Sequence, residues 1–129
     1  MHKGFIKTAA ILGALSVALG AFAAHALKQR LSQDELNIFD AGVRYQFYHV
    51  FALLAAGILY KDFPNKFARW AGIFFIAGIF LFSGSLYFLA YMKSNDEHAY
   101  NWIGAITPFG GLSFILGWMC LFIGVLKIK

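Results

Sequence analysis

Four long apolar runs, at about residues 4–27, 40–60, 69–92 and 101–126, are separated by three short polar stretches, "KQRLSQDELN", "KDFPNK" and "KSNDEHAYN". As a helix rising about 1.5 Å per residue, each run can cover a hydrocarbon core of about 30 Å. Backbone amides in lipid find no water, so a spanning segment must satisfy its own hydrogen bonds, as a helix does. Connections this short make consecutive helices antiparallel neighbours. The pattern predicts an all-α, membrane-spanning up-down four-helix bundle, a single domain over residues 1–129.

Local signals refine this picture. Ser32 and Glu35 stand at capping-box spacing, so the second helix begins near Gln33, well before its apolar run. Its first turns, around residues 32–40, either project into water or lie at the interface as a separate amphipathic piece. Asp40 and Arg44, four apart, can pair on one helix face. In the fourth run, Pro108 has no N–H to donate and pushes on the carbonyl of Gly104. With Gly110 and Gly111 beside it, a kink is expected there. Small residues recur at helical spacing, as Ala10, Ala14 and Ala18, as Gly13 and Gly20, and as Gly110, Gly117 and Gly124. Such rows let helix backbones approach closely.

Composition supports the membrane reading. The chain is 60% hydrophobic, with 15 Phe and only 13% charged residues, against about a quarter charged in soluble domains. A net charge of +5 invites a nucleic-acid partner, but no basic run exists; the Lys and Arg residues flank the apolar runs, as headgroup anchors do. With the N-terminus inside, the inner face carries Lys3, Lys7, Lys61, Lys66, Arg69, Lys127 and Lys129. The outer face carries Lys28, Arg30, Arg44 and Lys93, so both termini are expected in the cytoplasm. Lys3, Lys7 and "GAFAAHA" resemble a cleavable signal, yet Gly4 to Leu27 is long enough to span, and an uncleaved first helix is expected. Cys120 is the only cysteine, which excludes an intrachain disulfide and suits a small buried hydrophobe.

The informative residues are polar ones inside apolar runs. His25 closes the first run; Tyr45, Gln46 and His49 lie early in the second; Ser83, Ser85 and Tyr87 fall late in the third; Thr107 and Pro108 fall early in the fourth. In the predicted topology all of these share the outer half, while "LLAAGIL", "AGIFFIAGIFLF" and "WMCLFIGVL" leave the inner half almost purely apolar. Polar groups in lipid are costly unless partnered. Gln46 and His49, three apart, and Tyr45 and His49, four apart, share a face. The set forms either a hydrogen-bonded cluster that locks the bundle or a small pocket opening outward. Two histidines without a third strong ligand make a poor metal site. No HExxH, CxxC, phosphate loop or Ser-His-acid set is present, and the acids lie in loops or at helix ends.

Four stretches, "LGAFAAHAL", "FDAGVRYQFYHVFALL", "LFSGSLYFLA" and "ITPFGGLSFILGW", occur in order, one per run. In these the chain resembles the small membrane proteins called domain of unknown function 423, relatives of the eukaryotic transmembrane protein 256. The resemblance implies a four-helix protein of the bacterial inner membrane and brings no reaction, substrate or cofactor. Its motif positions are His25, Tyr45, Gln46, Tyr48, His49, Ser83, Ser85, Tyr87, Thr107, Pro108, Gly110 and Gly111. Ala23 stands where family members usually carry Gly, which narrows helix approach beside His25.

The expectation is a non-enzymatic membrane protein without cofactor, in contact with lipids, whose polar cluster is structural or docks a partner. That partner would be a second copy or a larger membrane complex. The alternative is a binder or carrier of a quinone, lipid headgroup or proton through the outer-half pocket. A membrane enzyme using His25 and His49 is a third and weaker reading.

Overall fold

The computed structural model describes residues 1–95 and 101–127; residues 96–100 of the third connection, His98 among them, and Ile128 and Lys129 lie outside the described residues. Helix α1 spans Lys3–His25 and is followed by a 3₁₀ turn, Leu27–Gln29; α2 spans Gln33–Leu59. The third long helix runs as α3, Lys66–Gly78, a π-helical turn, Ile79–Ser83, and α4, Gly84–Ser94. Helix α5 spans Asn101–Leu126. Three helical stretches, Lys3–Gln29, Lys66–Ser94 and Trp102–Leu126, are long and apolar enough to cross a membrane. Helix α2 is long enough, at 27 residues and about 40 Å, but its polar residues lower its apolarity.

Side chains fix where the helices begin. The imidazole of His2 caps α1, with Nδ1 accepting from the Phe5 N–H at 3.2 Å. At α2 the expected capping box is complete: Ser32 Oγ accepts from the Glu35 N–H at 3.2 Å, and Glu35 accepts from the Ser32 N–H at 2.9 Å. One continuous helix follows, so the turns around residues 32–40 are no separate piece and the helix starts seven residues before its apolar run. Asn65 caps α3 through the Ala68 N–H at 3.0 Å and also donates to the Gly124 carbonyl, tying the start of α3 to the end of α5. Each cap satisfies N–H groups that a helix start leaves unpaired.

Packing runs mainly from α1 to α2, from α2 to the α3–α4 span, and from that span to α5. Along the first contact Gly13 meets Val50, Gly20 meets Val43 and Gly57 meets Ile6, numbers that fall on one helix as they rise on the other. The span–α5 contact has the same opposed register, with Gly110 on Phe82, Gly117 on Phe75 and Gly124 on Ala68. These glycines recur every seven residues, two helical turns, and so stay on one face. A Cβ on Gly110 would overlap the Phe82 backbone, and one on Gly117 or Gly78 would overlap the Phe75 or Phe114 ring. Phenylalanine rings thus fill the space that glycines leave. On α1 the buried stripe is Phe5, Ala9, Leu12 and Ser16. Ala10, Ala14 and Ala18 are exposed, so this row is not a contact within the chain. At about 100° per residue it simply points away from the buried stripe.

The π turn was not legible as such. It places one extra residue per turn where Phe82 meets Gly110, and π turns concentrate where a helix is locally adapted. On the facing helix Pro108 lies inside α5, which stays α-helical on both sides of it.

These contacts separate two kinds of glycine. Gly110→Ala should destabilise the protein in detergent by about 1–3 kcal/mol through overpacking. Gly104→Ala meets no atom within 4 Å and should be neutral or stabilising by up to about 1 kcal/mol. Thermal unfolding of both variants, followed by circular dichroism, checks the contrast; equal effects would contradict the packing described.

Candidate functional site

The buried stripe of α2, including Phe39, Gly42, Val43, Gln46, Val50 and Leu53, repeats at three and four residues and carries polar side chains into the helix contacts. Gln46 is 3% exposed. Its Nε2 donates to the Leu12 carbonyl of α1 at 3.1 Å, and its Oε1 accepts from the Tyr87 hydroxyl of α4 at 2.6 Å. One amide therefore links three helices. Ser16 donates to the same Leu12 carbonyl at 2.7 Å, so that oxygen serves two side chains.

His49 makes a second node. Nδ1 lies 2.7 Å from the Tyr45 carbonyl one turn earlier, and Nε2 accepts from the Trp118 indole N–H of α5 at 3.1 Å. A tryptophan can only donate, so Nε2 is the acceptor and Nδ1 carries the proton. The ring is neutral, with both nitrogens engaged. It stacks on Phe114 at 3.5 Å between centroids and tilts against Phe75 at 5.7 Å. A second ring proton would point Nε2–H at the indole N–H, so charging His49 requires this pair to part.

Three shorter links complete the set. Ser83 Oγ, in the π turn, donates to the Gly42 carbonyl of α2 at 2.7 Å. A Cβ at Gly42 would crowd the Tyr87 ring, so glycine there permits the close approach. Ser85 Oγ and Thr107 Oγ1 are 2.7 Å apart across α4 and α5, and Ser85 also reaches the Phe82 carbonyl at 2.8 Å. Ser113 donates to the Phe74 carbonyl at 2.8 Å, joining α5 to α3. Among the described residues no buried side-chain nitrogen or oxygen lacks a partner.

The expected single cluster is thus resolved into separate pairs at successive helix contacts. Gln46 meets Tyr87 and Ser85 meets Thr107, but His49 meets Trp118 rather than a serine, threonine or tyrosine hydroxyl. His25 is exposed and joins none of these links. It lies nine residues beyond buried Ser16, a rotation of about two and a half turns, and so faces the opposite side of α1. Tyr45 is 39% exposed; it contributes its carbonyl to His49 and its ring to Phe82, at 4.7 Å, rather than its hydroxyl. Tyr48 is more exposed still. Gly110 lies against Phe82, while Pro108 and Gly111 line the groove described next. Asp40 and Arg44 pair at 3.2 Å on the exposed surface. Sequence reasoning missed Trp118, Ser16, Ser113 and Asn65. For Trp118 the signal was an indole N–H well inside a span, away from the interface where tryptophans usually sit.

A groove of about 520 Å³ lies between α2 and α5, lined by Tyr45, His49, Phe82, Pro108, Phe114 and Trp118 among others. Its walls are mostly apolar, and its histidine is already engaged on both sides. No group of three or more His, Cys, Asp or Glu among the described residues is placed to hold a metal ion.

Residues 19–111 match the family described as protein of unknown function (DUF423). A UPF0382 membrane protein of Staphylococcus saprophyticus is 41% identical, over 98% of this chain and 99% of its own. A UPF0382 membrane protein of Haemophilus influenzae is 42% identical over 100% of this chain and 98% of its own. The UPF0382 inner membrane protein YgdD of Escherichia coli K12 is 36% identical over 94% of this chain and 88% of its own. No solved structure matches. The chain belongs to the DUF423 family.

The His49–Trp118 pair has a measurable consequence. Trp118→Phe keeps most of the ring's volume and removes the donor, leaving Nε2 unpaired. Stability in detergent should fall by about 0.6–2 kcal/mol, the range of interhelical bonds in membranes. Nitrogen NMR of the imidazole should report the Nδ1–H tautomer in the parent protein, and in the variant, where the Tyr45 carbonyl still holds that proton, a shifted Nε2 resonance that has lost its hydrogen bond. An Nε2–H ring in the parent would contradict the assignment.

Proposed function

We propose that this member of the family is a non-enzymatic, multi-pass protein of the bacterial inner membrane, an up-down bundle of four spans with both termini in the cytoplasm. Its polar residues hold the helices in register, and its working surface is the apolar exterior, which meets lipid and a protein partner. Helix α2 counts as the fourth span because its polar side chains turn onto neighbouring helices. The inner-membrane location follows the name of the Escherichia coli relative and the three apolar helical stretches. Pro108 bends α5 near the groove, where the Gly104 carbonyl loses its helical partner.

One observation carries this reading: among the described residues the buried side-chain nitrogens and oxygens are all bonded, and the links from Gln46 to Leu12 and Tyr87, from Ser83 to Gly42 and from His49 to Trp118 cross between helices. A catalytic or carrier site keeps a polar group free for its substrate. Here the Gln46 amide has one donor on Leu12 and its acceptor on Tyr87, and both His49 nitrogens are taken. A quinone or proton carried through His49 would first have to displace Trp118.

Double-mutant analysis of Gln46→Leu and Tyr87→Phe tests the structural role. Either change alone strands a buried polar group, which costs about 1–3 kcal/mol. The pair together should cost less than the sum, by about 0.6–2 kcal/mol. Strict additivity would show that the contact carries no coupling. Topology is tested separately: a periplasm-active reporter fused after Lys129 should be silent, and a cytoplasm-active one should work. The reverse pattern would overturn the orientation.

A further inference from the structure

The end of the molecule where α1 stops, α2 starts and α4 stops holds a second hollow, of about 400 Å³. This is within the roughly 300–1,000 Å³ of ordinary small-molecule sites. It is more enclosed than the α2–α5 groove and more polar at its rim. Its walls are apolar or aromatic, chiefly Phe22, Leu27, Phe39, Ala90 and Tyr91, and its rim carries Arg30, Ser94 and Asn95. A smaller hollow of about 300 Å³ adjoins it and shares Phe22, Leu27 and Arg30.

Among the described residues Arg30 is the only charged one on either hollow. Its backbone N–H closes the 3₁₀ turn on the Leu27 carbonyl at 2.9 Å, which holds its Cα at the rim. Its guanidinium makes no hydrogen bond or ion pair with the described residues, while Glu35 is engaged in the α2 cap and Asp40 with Arg44. The carbonyls ending α4 are partly answered as well. The Asn95 N–H reaches the Met92 carbonyl at 3.3 Å, and Ser94 Oγ donates to the Tyr91 carbonyl at 2.7 Å. The depth is that of the headgroups, because the pocket lies where the helices end. An arginine there keeps its charge in the polar layer above an apolar floor, and its planar fork matches the two oxygens of a phosphate.

We propose that this hollow seats one glycerophospholipid, with its phosphate on Arg30 and an acyl chain against Leu27, Phe39 and Tyr91. The shape and chemistry agree: a single cation at headgroup depth, open to the rim, over a pocket whose remaining walls are hydrocarbon. The inference rests on the chain being membrane-embedded and not on the polar links between helices.

The test is native mass spectrometry of the full chain in mild detergent, titrated with palmitoyl-oleoyl phosphatidylglycerol. The first lipid should bind about tenfold more tightly than later ones, as expected for one charge-assisted contact. Arg30→Gln should remove that difference, Arg30→Lys should retain part of it, and Lys28→Gln should leave it intact. Tyr91→Ala should weaken the first lipid without changing later ones. Melting curves of all variants should match the parent, since Arg30, Lys28 and Tyr91 are exposed. Dioleoylglycerol, which lacks the phosphate, should show no preferred first site. Unchanged lipid binding in Arg30→Gln, equal losses in Arg30→Gln and Lys28→Gln, or equally tight dioleoylglycerol binding would each overturn the proposal. Failure of the membrane reading would show differently, as protein recovered in the soluble fraction without detergent.

Discussion

Hydrocarbon offers no hydrogen bonds, and most of this molecule follows from that constraint. A buried amide or imidazole without a partner costs roughly 2–7 kcal/mol, depending on the reference state, whereas a bond between membrane helices returns only about 0.6–2 kcal/mol. A polar residue inside a span that cannot bond its own helix therefore dictates which helix must lie beside it. Gln46 brings α1, α2 and α4 together through Leu12 and Tyr87. His49 brings α2 to α5 through Trp118. Ser83 and Ser113 each choose a backbone carbonyl on a neighbour. These bonds act through the penalty of being broken more than through the stability they add, and so they specify register.

Packing fills the space between these contacts. Where water is absent, helix association depends on close van der Waals fit and small residues. Gly78, Gly110 and Gly117 admit the rings or backbone of Phe114, Phe82 and Phe75. Phe5 in the same way packs against Gly72 from α1. The His49 ring lies within this aromatic core, stacked on Phe114, so the polar links and the ring packing share side chains. The α2–α5 groove remains beside them as an open, mostly apolar feature.

Much of this was legible in the sequence. Apolar runs gave the helices, the Ser32–Glu35 spacing gave the true start of α2, and the glycines spaced seven apart gave a close-packing face of α5, though not the helix it meets. That Gln46 and Tyr87, and Ser85 and Thr107, reach a common level was legible too, but the partner of each polar residue was not. Depth follows from position along a run, whereas pairing depends on rotation about each helix axis. A residue such as His25, two and a half turns beyond Ser16, can share a level with the set and still face away. The π turn was hidden because "IFLFS" is compatible with an ordinary helix, and only its contact with Gly110 distinguishes it. Trp118 was read past because tryptophans near membranes usually sit at the interface, and a single indole N–H reveals a partner only once the facing helix is known.

The central claim is that the polar residues form closed links rather than a hydrated, open site. Hydrogen–deuterium exchange of the three indole N–H groups, observed by nitrogen-resolved NMR in lipid nanodiscs, tests it most directly. All three indole side chains are about half exposed, but Trp70 and Trp102 lie near the starts of their helices and should exchange rapidly with interfacial water. Trp118, bonded to His49 within the span, should exchange far more slowly, through opening of the bundle. Exchange at Trp118 as fast as at Trp70 and Trp102 would show water at His49 and contradict the account.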